Sequence, residues 1–227
     1  ILPPEVFVEP GLIKGACRVR YALPDSPPLV SLLIPTRDGL SILKPCVESI
    51  LNKTVYPNFE ILILDNQSQC PDTLGWLDEV QKDSRVKVLP YNYPFNYSAI
   101  NNFGARHAQG DVLGLVNNDV EVISPDWLSE MVSHALRPEI GCVGAKLYYS
   151  NGQIQHGGVV LGLGDVAGHA HRFLQGDDDG YQGRLKLVQN YSAVTAACLV
   201  VRREIFEKVG GLEEEHLAVA YNDVDVC

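Results

Sequence analysis

Hydrophobic positions along the chain follow two rhythms. Leu29-Val-Ser-Leu-Leu-Ile34, Phe59-Glu-Ile-Leu-Ile-Leu64, Val86-Lys-Val-Leu89 and Val112-Leu-Gly-Leu-Val116 are short, nearly continuous apolar runs, each stopped by a proline or a polar cluster. That length and density predict strands buried on both faces. Between them apolar residues recur at steps of three and four. One such stripe carries Leu40, Leu43, Val47, Ile50 and Leu51, and a second carries Leu74, Leu77 and Val80 after the opening Pro71-Asp72-Thr73. A third helical face carries Tyr97, Ile100, Asn101, Gly104 and Ala108, with Asn96 or Ser98 available as its cap. Ser124-Pro125-Asp126-Trp127 reads as a helix start, with Ser at the N-cap, Pro at the first helical position and an acid in the first turn. Strands alternating with helices predict βαβ units, hence an α/β fold with a mostly parallel central sheet flanked by helices.

The pattern changes after Cys142. Val143-Gly-Ala-Lys-Leu-Tyr148, Gly158-Val-Val-Leu161 and Cys198-Leu-Val-Val201 still read as strands, but loops rich in Gly, His and Asp separate them. Glu204-Ile-Phe-Glu-Lys-Val209 predicts a short helix ended by Gly210-Gly211. The proline-rich opening, residues 1–28, has no period and reads as an arm or linker to the domain at 29–227. That domain divides into a nucleotide-type half, 29–125, and a more irregular half, 126–227, facing an acceptor. There is no internal repeat.

At 227 residues and 46% hydrophobic, the chain is long and apolar enough for one sizeable core. A formal charge of −10 with no Lys/Arg cluster argues against nucleic acid as a partner. A phosphate-bearing ligand then calls for a divalent cation to mediate the contact. No window is apolar enough for a membrane span, and the first ten residues, with Pro3, Pro4, Glu5, Glu9 and Pro10, do not form a secretory signal. Six dispersed cysteines without a CxxC fit neither zinc nor a disulfide framework, which predicts mostly small buried thiols in a cytosolic, reducing setting.

In an open parallel sheet, ligands bind beyond the carboxyl ends of the strands. Three polar clusters fall there: Pro35-Thr36-Arg37-Asp38, Asp65-Asn66-Gln67-Ser68 and Asn117-Asn118-Asp119. Singly, Asp and Asn most often just make turns; together on one edge they mark a site. The arrangement suits a nucleoside diphosphate, with Asp65 accepting bonds from base or ribose and Asp119 coordinating Mg2+ or Mn2+. The run Gly162-Leu-Gly164 to Gly168 mimics a dinucleotide turn, but it lacks the following helix and the distant acid, so a Gly-rich hairpin or loop is expected. His169 and His171 would share a face if extended, as metal ligands do, although loop histidines near a substrate or on the surface are the commoner outcome. In the tail, Asp223 and Asp225 either face one way in an extended segment or bracket a helix start. Beside an anionic donor, one such carboxylate is what a sugar hydroxyl needs as general base.

Taken together these residues resemble the family 2 glycosyltransferases with the GT-A fold, over about Leu29 to Cys227. The resemblance rests on Val30 to Asp38, Ile63-Leu-Asp65-Asn-Gln-Ser68, Asn96-Tyr-Ser98 with Asn101-Asn-Phe-Gly104, and Asn117-Asn-Asp119. It continues through Gly152 to Gly158, Ala196 to Gly211 and Asn222-Asp-Val-Asp225, and is strongest to rhamnosyltransferase-like members that build bacterial surface polysaccharides. It implies a nucleotide-diphosphate sugar donor and a saccharide or lipid-linked saccharide acceptor, with inversion at the transferred carbon. Pro35, Thr36, Arg37, Asp65, Asn66, Ser68 and Asn118 would line the donor pocket, Asp119 would bind the divalent metal (Mn2+ or Mg2+), Asp223 would be the base, and Ala196 and Ala197 would form the acceptor-side wall. The family setting implies a cytoplasmic enzyme, at most peripheral at the inner face of the membrane. Two departures stand out. Asn117 replaces the first acid of the family's Asp-x-Asp, and relatives continue past the position of Cys227 with a further helix and a basic or histidine residue, which implies additional domains and an incomplete C-terminus. The rival readings are a non-catalytic nucleotide-sugar-binding domain and a sugar-phosphate nucleotidyltransferase, although the Gly-rich opening of the latter is missing around Pro35.

Overall fold

A computed structural model describes residues 6–164 and 166–227 of the chain. In order come β1 (Val6–Pro10), β2 (Cys17–Tyr21), β3 (Val30–Thr36), α1 (Leu40–Lys53), β4 (Phe59–Asp65), α2 (Pro71–Val80), β5 (Val86–Pro90), α3 (Tyr97–His107), β6 (Val112–Val116) and α4 (Trp127–Ala135). The second half holds β7 (Cys142–Gly144), β8 (Leu147–Tyr148), β9 (Ile154–His156), β10 (Val159–Leu161), β11 (Ala167–His169), a 3-10 turn at Tyr181–Lys186, β12 (Cys198–Arg202), α5 (Arg203–Lys208) and α6 (Asn222–Val226). The central sheet has the order β5-β4-β3-β6-β12-β7. β5, β4, β3 and β6 are mutually parallel, and β12 runs antiparallel to both of its neighbours, so the sheet is mixed but mostly parallel, as expected.

The continuous apolar runs are explained by two cores, one on each face of this sheet. Leu32, Ile34, Ile61 and Ile63 pack with Leu43, Val47 and Ile50 of α1 and Leu128 and Val132 of α4. Leu33, Leu62, Leu64, Leu113 and Leu115 point the other way, onto Ile100 and Ala105 of α3 and Phe206 of α5. Each fully buried aliphatic side chain is worth about 1.5–3 kcal/mol relative to exposure, so both faces hold the strands in register. α3 lies flush on its face because Gly104 has no side chain; a Cβ there would stand 2.7 Å from Leu64 Cδ1.

Several local expectations need correction. The opening stretch contains the β1–β2 hairpin, docked through Arg18 and Arg20, which reach Glu130 of α4 at 3.0 and 3.1 Å. Ser124 does not cap α4: the helix begins at Trp127 behind Asp126, and the turn before it is tied elsewhere, Val55 N–H donating to the Pro125 carbonyl at 3.0 Å. The run from Val143 to Tyr148 is split between β7 and β8, which belong to different sheets. Only Cys46 and Cys198 are fully buried, their thiols pushed up to about 12 chiefly by burial, while Cys17, Cys70 and Cys227 are exposed. The Gly-rich run does form a hairpin, β10 pairing antiparallel with β11. The tail closes as α6, with Asp223 and Asp225 both in its first turn.

What positions the tail is a set of polar side chains on α3. Asn96 caps the helix by accepting the Ala99 N–H at 2.9 Å, and its amide donates to the Glu214 carbonyl at 2.8 Å. Ser98 Oγ donates to the Leu217 carbonyl at 2.7 Å. Buried Asn102 both accepts the Leu212 N–H at 2.9 Å and donates to the Leu212 carbonyl at 2.8 Å. Gly211, at φ 78°, makes room for this amide, since a Cβ would lie 2.6 Å from Asn102 Oδ1. Removing a partner from buried backbone groups costs their desolvation, about 1–3 kcal/mol. Asn102→Ala should therefore lower the unfolding free energy by about that amount in urea titration; an unchanged midpoint would contradict the anchoring role.

Candidate active site

The carboxyl ends of β3, β4 and β6 meet at one rim, with Thr36 in register with Asp65 and Leu33 in register with Leu115. At this rim a cleft of about 520 Å³ opens, within the size range of small-molecule sites. One wall comes from the rim loops: Pro35, Thr36, Arg37, Asn66, Asn117 and Asn118. A second wall is built from His169 at the end of β11, Thr195, Ala196 and Ala197 ahead of β12, and Asp223 at the start of α6. Eight residues singled out from the sequence thus share one cavity: Pro35, Thr36, Arg37, Asn66, Asn118, Ala196, Ala197 and Asp223.

The rim loops are braced against each other. Asn118 Nδ2 donates to Thr36 Oγ1 at 3.0 Å, and the Asn66 N–H donates to the Thr36 carbonyl at 2.8 Å. The Asn66 amide donates to the Tyr91 and Tyr93 carbonyls at 3.1 and 2.8 Å, leaving its buried Oδ1 without a hydrogen-bond partner among the described residues. Asp38 Oδ1 accepts the N–H groups of Cys70 and Gln69 at 2.8 and 2.9 Å, bonds that hold its carboxyl below the usual range. Arg37 is exposed and has no ion pair among the described residues, so its guanidinium is available to a phosphate.

Asp65, Ser68 and Asp119 stand at the same rim but do not line the cleft. Asp65 Oδ1 accepts the Ser68 N–H at 3.2 Å, and Ser68 Oγ accepts the Asp38 N–H at 2.7 Å, so both serve the turn between the two loops. Asp119 is exposed, next to Asn118, and no hydrogen bond or ion pair engages its carboxylate among the described residues. A different set, Glu213, Glu215 and His216, brings potential metal-ligand atoms within 4.8 Å of one another. There the Glu213 carboxylate already accepts the N–H groups of Glu215, His216 and Leu217, which makes it the cap of a surface turn.

On the second wall, Asp223 is half-buried; Oδ2 accepts the Ala196 N–H at 3.2 Å and Oδ1 the Val224 N–H at 2.9 Å. Tyr97 joins the two walls. Its hydroxyl donates to the Ala196 carbonyl at 3.2 Å and stands 3.4 Å from Asn117 Oδ1, and burial, with the Asp223 carboxylate nearby, raises its pKa so that it stays protonated. The antiparallel pairing of β12 with β6 sets this spacing, and the Asn117 N–H donates to the Ala197 carbonyl at 3.0 Å.

The histidines are not arranged as the sequence spacing suggests. His171 lies in the turn after β11 at φ 61°, so it does not share an extended face with His169. Instead His169 Nδ1 lies 2.9 Å from Nδ1 of His156, a buried residue of β9. His156, Thr195 and Tyr97 were missed as site residues. The sequence signal for His156 was its place within the Gly152 to Gly158 stretch that carries part of the family resemblance.

Against known proteins, the model of the family described as glycosyl transferase family 2 matches residues 31–210. The chain is 59% identical over 201 residues to the Sinorhizobium fredii protein y4gI, covering 88% of this chain and 22% of that protein. It is 42% identical over 210 residues to the O-antigen biosynthesis protein RfbC of Myxococcus xanthus, covering 92% of this chain and 16% of that protein. The chain therefore spans about a fifth of the length of these relatives. Its fold resembles that of the Pyrobaculum calidifontis mannosyltransferase PcManGT, solved with GDP-Man and Mn2+ (TM-score 0.65, 16% identity, 96% of this chain and 54% of that one). It also resembles GalNAc-T7, solved with UDP, GalNAc and Mn2+ (TM-score 0.70, 18% identity, 92% and 41%). The architecture is the GT-A fold of these enzymes, and the chain belongs to glycosyl transferase family 2.

Proposed function

We propose that the domain transfers a sugar, with inversion, from a nucleoside-diphosphate donor to a saccharide hydroxyl, with Asp223 as the general base. The observation that carries this reading is that Asp223 lines the same cleft as the Thr36–Asn118 rim. The donor nucleotide would lie along Pro35, Thr36, Asn66 and Asn118, with Arg37 toward its phosphates. Asp65 and Ser68 would support that wall from behind, through the turn they brace. The acceptor would lie against Ala196 and Ala197. As its hydroxyl oxygen bonds to the anomeric carbon, the hydroxyl proton passes to a carboxylate oxygen of Asp223. The bond from that carbon to the diphosphate breaks at the same time, and its electron pair leaves on the diphosphate oxygen. General-base assistance of this kind supplies roughly 10²–10⁴ in rate.

The oxygen donor at Asp119 fits a hard divalent cation: a single exposed carboxylate suits Mn2+ or Mg2+, which take few protein ligands and complete their shell with phosphate and water. Asp119 would hold that ion, and the ion would offset charge on the departing diphosphate. Asn117, neutral and close to the Tyr97 hydroxyl, adds no second carboxylate. The metal reading draws support from the Mn2+ in both structural neighbours, and a role in cell-surface polysaccharide synthesis from the O-antigen biosynthesis relative. No helix of the described residues is long and apolar enough to cross a membrane.

Two variants test the assignments. In the complete protein, assayed across UDP-, TDP- and GDP-sugars, Asp223→Asn should lower turnover by about 10²–10⁴ while nucleotide affinity stays nearly intact. Equal losses in turnover and affinity would instead place Asp223 in donor binding. Asp119→Ala should weaken nucleoside diphosphate binding in thermal-shift titrations only when Mn2+ is present. A loss of equal size without metal would remove Asp119 from the ligand set.

A further inference from the structure

Three polar groups on the acceptor wall form a chain whose proton positions are determined by geometry. His156, 2% exposed, sits with its ring perpendicular to that of His169 and centroids 5.1 Å apart. Its Nε2 lies 3.4 Å from the Thr195 backbone nitrogen, and its Nδ1 lies 2.9 Å from His169 Nδ1. A backbone N–H only donates, so His156 Nε2 is the acceptor and carries no proton. Burial drives the pKa of His156 down to about 3, so the ring is neutral and its single proton must be on Nδ1. That proton is donated to His169 Nδ1, since two protonated nitrogens do not face each other at 2.9 Å. His169, its own pKa lowered by burial and by Arg172 despite the opposite pull of Asp223, is neutral as well. Its proton is therefore on Nε2, the ring nitrogen with no partner among the described residues, and His169 lines the cleft.

We propose that His169 is a saccharide-binding residue, donating from Nε2 to a hydroxyl oxygen of the acceptor sugar beside Asp223, and that His156 is the positioning residue that fixes its tautomer. This rests on the glycosyl-transfer reading. A neutral N–H donor suits an uncharged hydroxyl better than a diphosphate, for which exposed Arg37 of the same cleft is available. The location agrees: β10 and β11 place His169 directly opposite Val159 in register, and the Val159 N–H donates to the Ala193 carbonyl at 2.9 Å. This holds the hairpin beside the segment leading to Ala196. Asp223 then takes the proton of the attacking hydroxyl while His169 holds a neighbouring oxygen of the same sugar, which fixes the orientation of attack.

Long-range proton–nitrogen correlation of the histidine rings in 15N-labelled chain at neutral pH tests this directly. The expected spectrum has His156 as the Nδ1–H tautomer and His169 as the Nε2–H tautomer. His169 appearing as an Nδ1–H tautomer, or protonated, would overturn the proposal. His156→Leu should release His169 into a mixture of tautomers, whereas His156→Asn, which keeps a donor amide near the Nδ1 position, should restore the Nε2–H form. A His169 spectrum indifferent to both substitutions would overturn the positioning role, and if His156→Leu does not fold, the unsubstituted chain and His156→Asn decide the matter. Two titrations separate this inference from the reading beneath it. Mg2+ with UDP, TDP or GDP should shift the amides of Thr36, Asn66 and Asn118 and leave His169 Nε2 in place. Methyl glycosides of rhamnose, galactose or N-acetylglucosamine, added in excess to the nucleotide complex, should shift His169 Nε2. Saccharides that move no His169 resonance, or a nucleotide that moves it by itself, would overturn the acceptor assignment. Absence of any nucleotide shift at the rim would count instead against glycosyl transfer.

Discussion

Between Leu212 and Ala218 the Glu213 carboxylate takes the N–H groups of Glu215, His216 and Leu217, and α3 with its cap supplies partners for the Leu212 backbone and for the carbonyls of Glu214, Leu217 and Ala218. Asn102 takes both polar groups of Leu212, Ser98 takes the Leu217 carbonyl, Asn96 takes the Glu214 carbonyl, and the Tyr97 N–H donates to the Ala218 carbonyl. Buried amides and hydroxyls are costly unless paired, so these side chains and this segment are stable only together. The position of Asp223 follows from that constraint. The segment is held on the α3 face of the sheet, α6 begins four residues beyond Ala218, and the Asp223 carboxylate comes to rest on the Ala196 N–H.

The Thr36–Asn118 rim is positioned by different means. There the parallel strands bring Thr36, Asp65 and Asn117 to a common edge, and the loops beyond them are stapled by Asp38, Ser68, Asn118 and Thr36. β12 couples the two halves, since its antiparallel pairing with β6 puts Ala196 and Ala197 beside Asn117. Tyr97 belongs to α3, touches both walls through its hydroxyl, and so makes one helix responsible for the tail and for the spacing of the cleft.

The sheet and its helices were legible because strands buried on both faces leave nearly unbroken apolar runs, and each amphipathic helix leaves a stripe. The edge carrying the site was legible for the same reason, since strand ends locate it. Less visible was why Asn96, Ser98 and Asn102 crowd one helix and its cap: partners such as Leu212 and Leu217 lie more than a hundred residues away in sequence, and no local pattern announces them. The β1–β2 hairpin escaped notice because β1 is exposed at every residue, which leaves no buried face to generate an alternation. His156 escaped because a lone histidine in a three-residue strand carries no periodicity, and its partner sits in another hairpin. Asp65 and Ser68 fell at the right edge, but the turn they make folds their side chains onto neighbouring backbone, which strand ends alone do not reveal.

The account depends on donor rim and acceptor wall addressing one ligand. Crystals grown with a nucleoside diphosphate and Mn2+, with an anomalous difference map at the manganese edge, test that most directly. The account predicts one manganese peak beside Asp119 and a diphosphate filling the space between the Thr36–Asn118 rim and Asp223. Manganese at Glu213, Glu215 and His216 with an empty cleft, or a nucleotide bound away from Asp223, would contradict it.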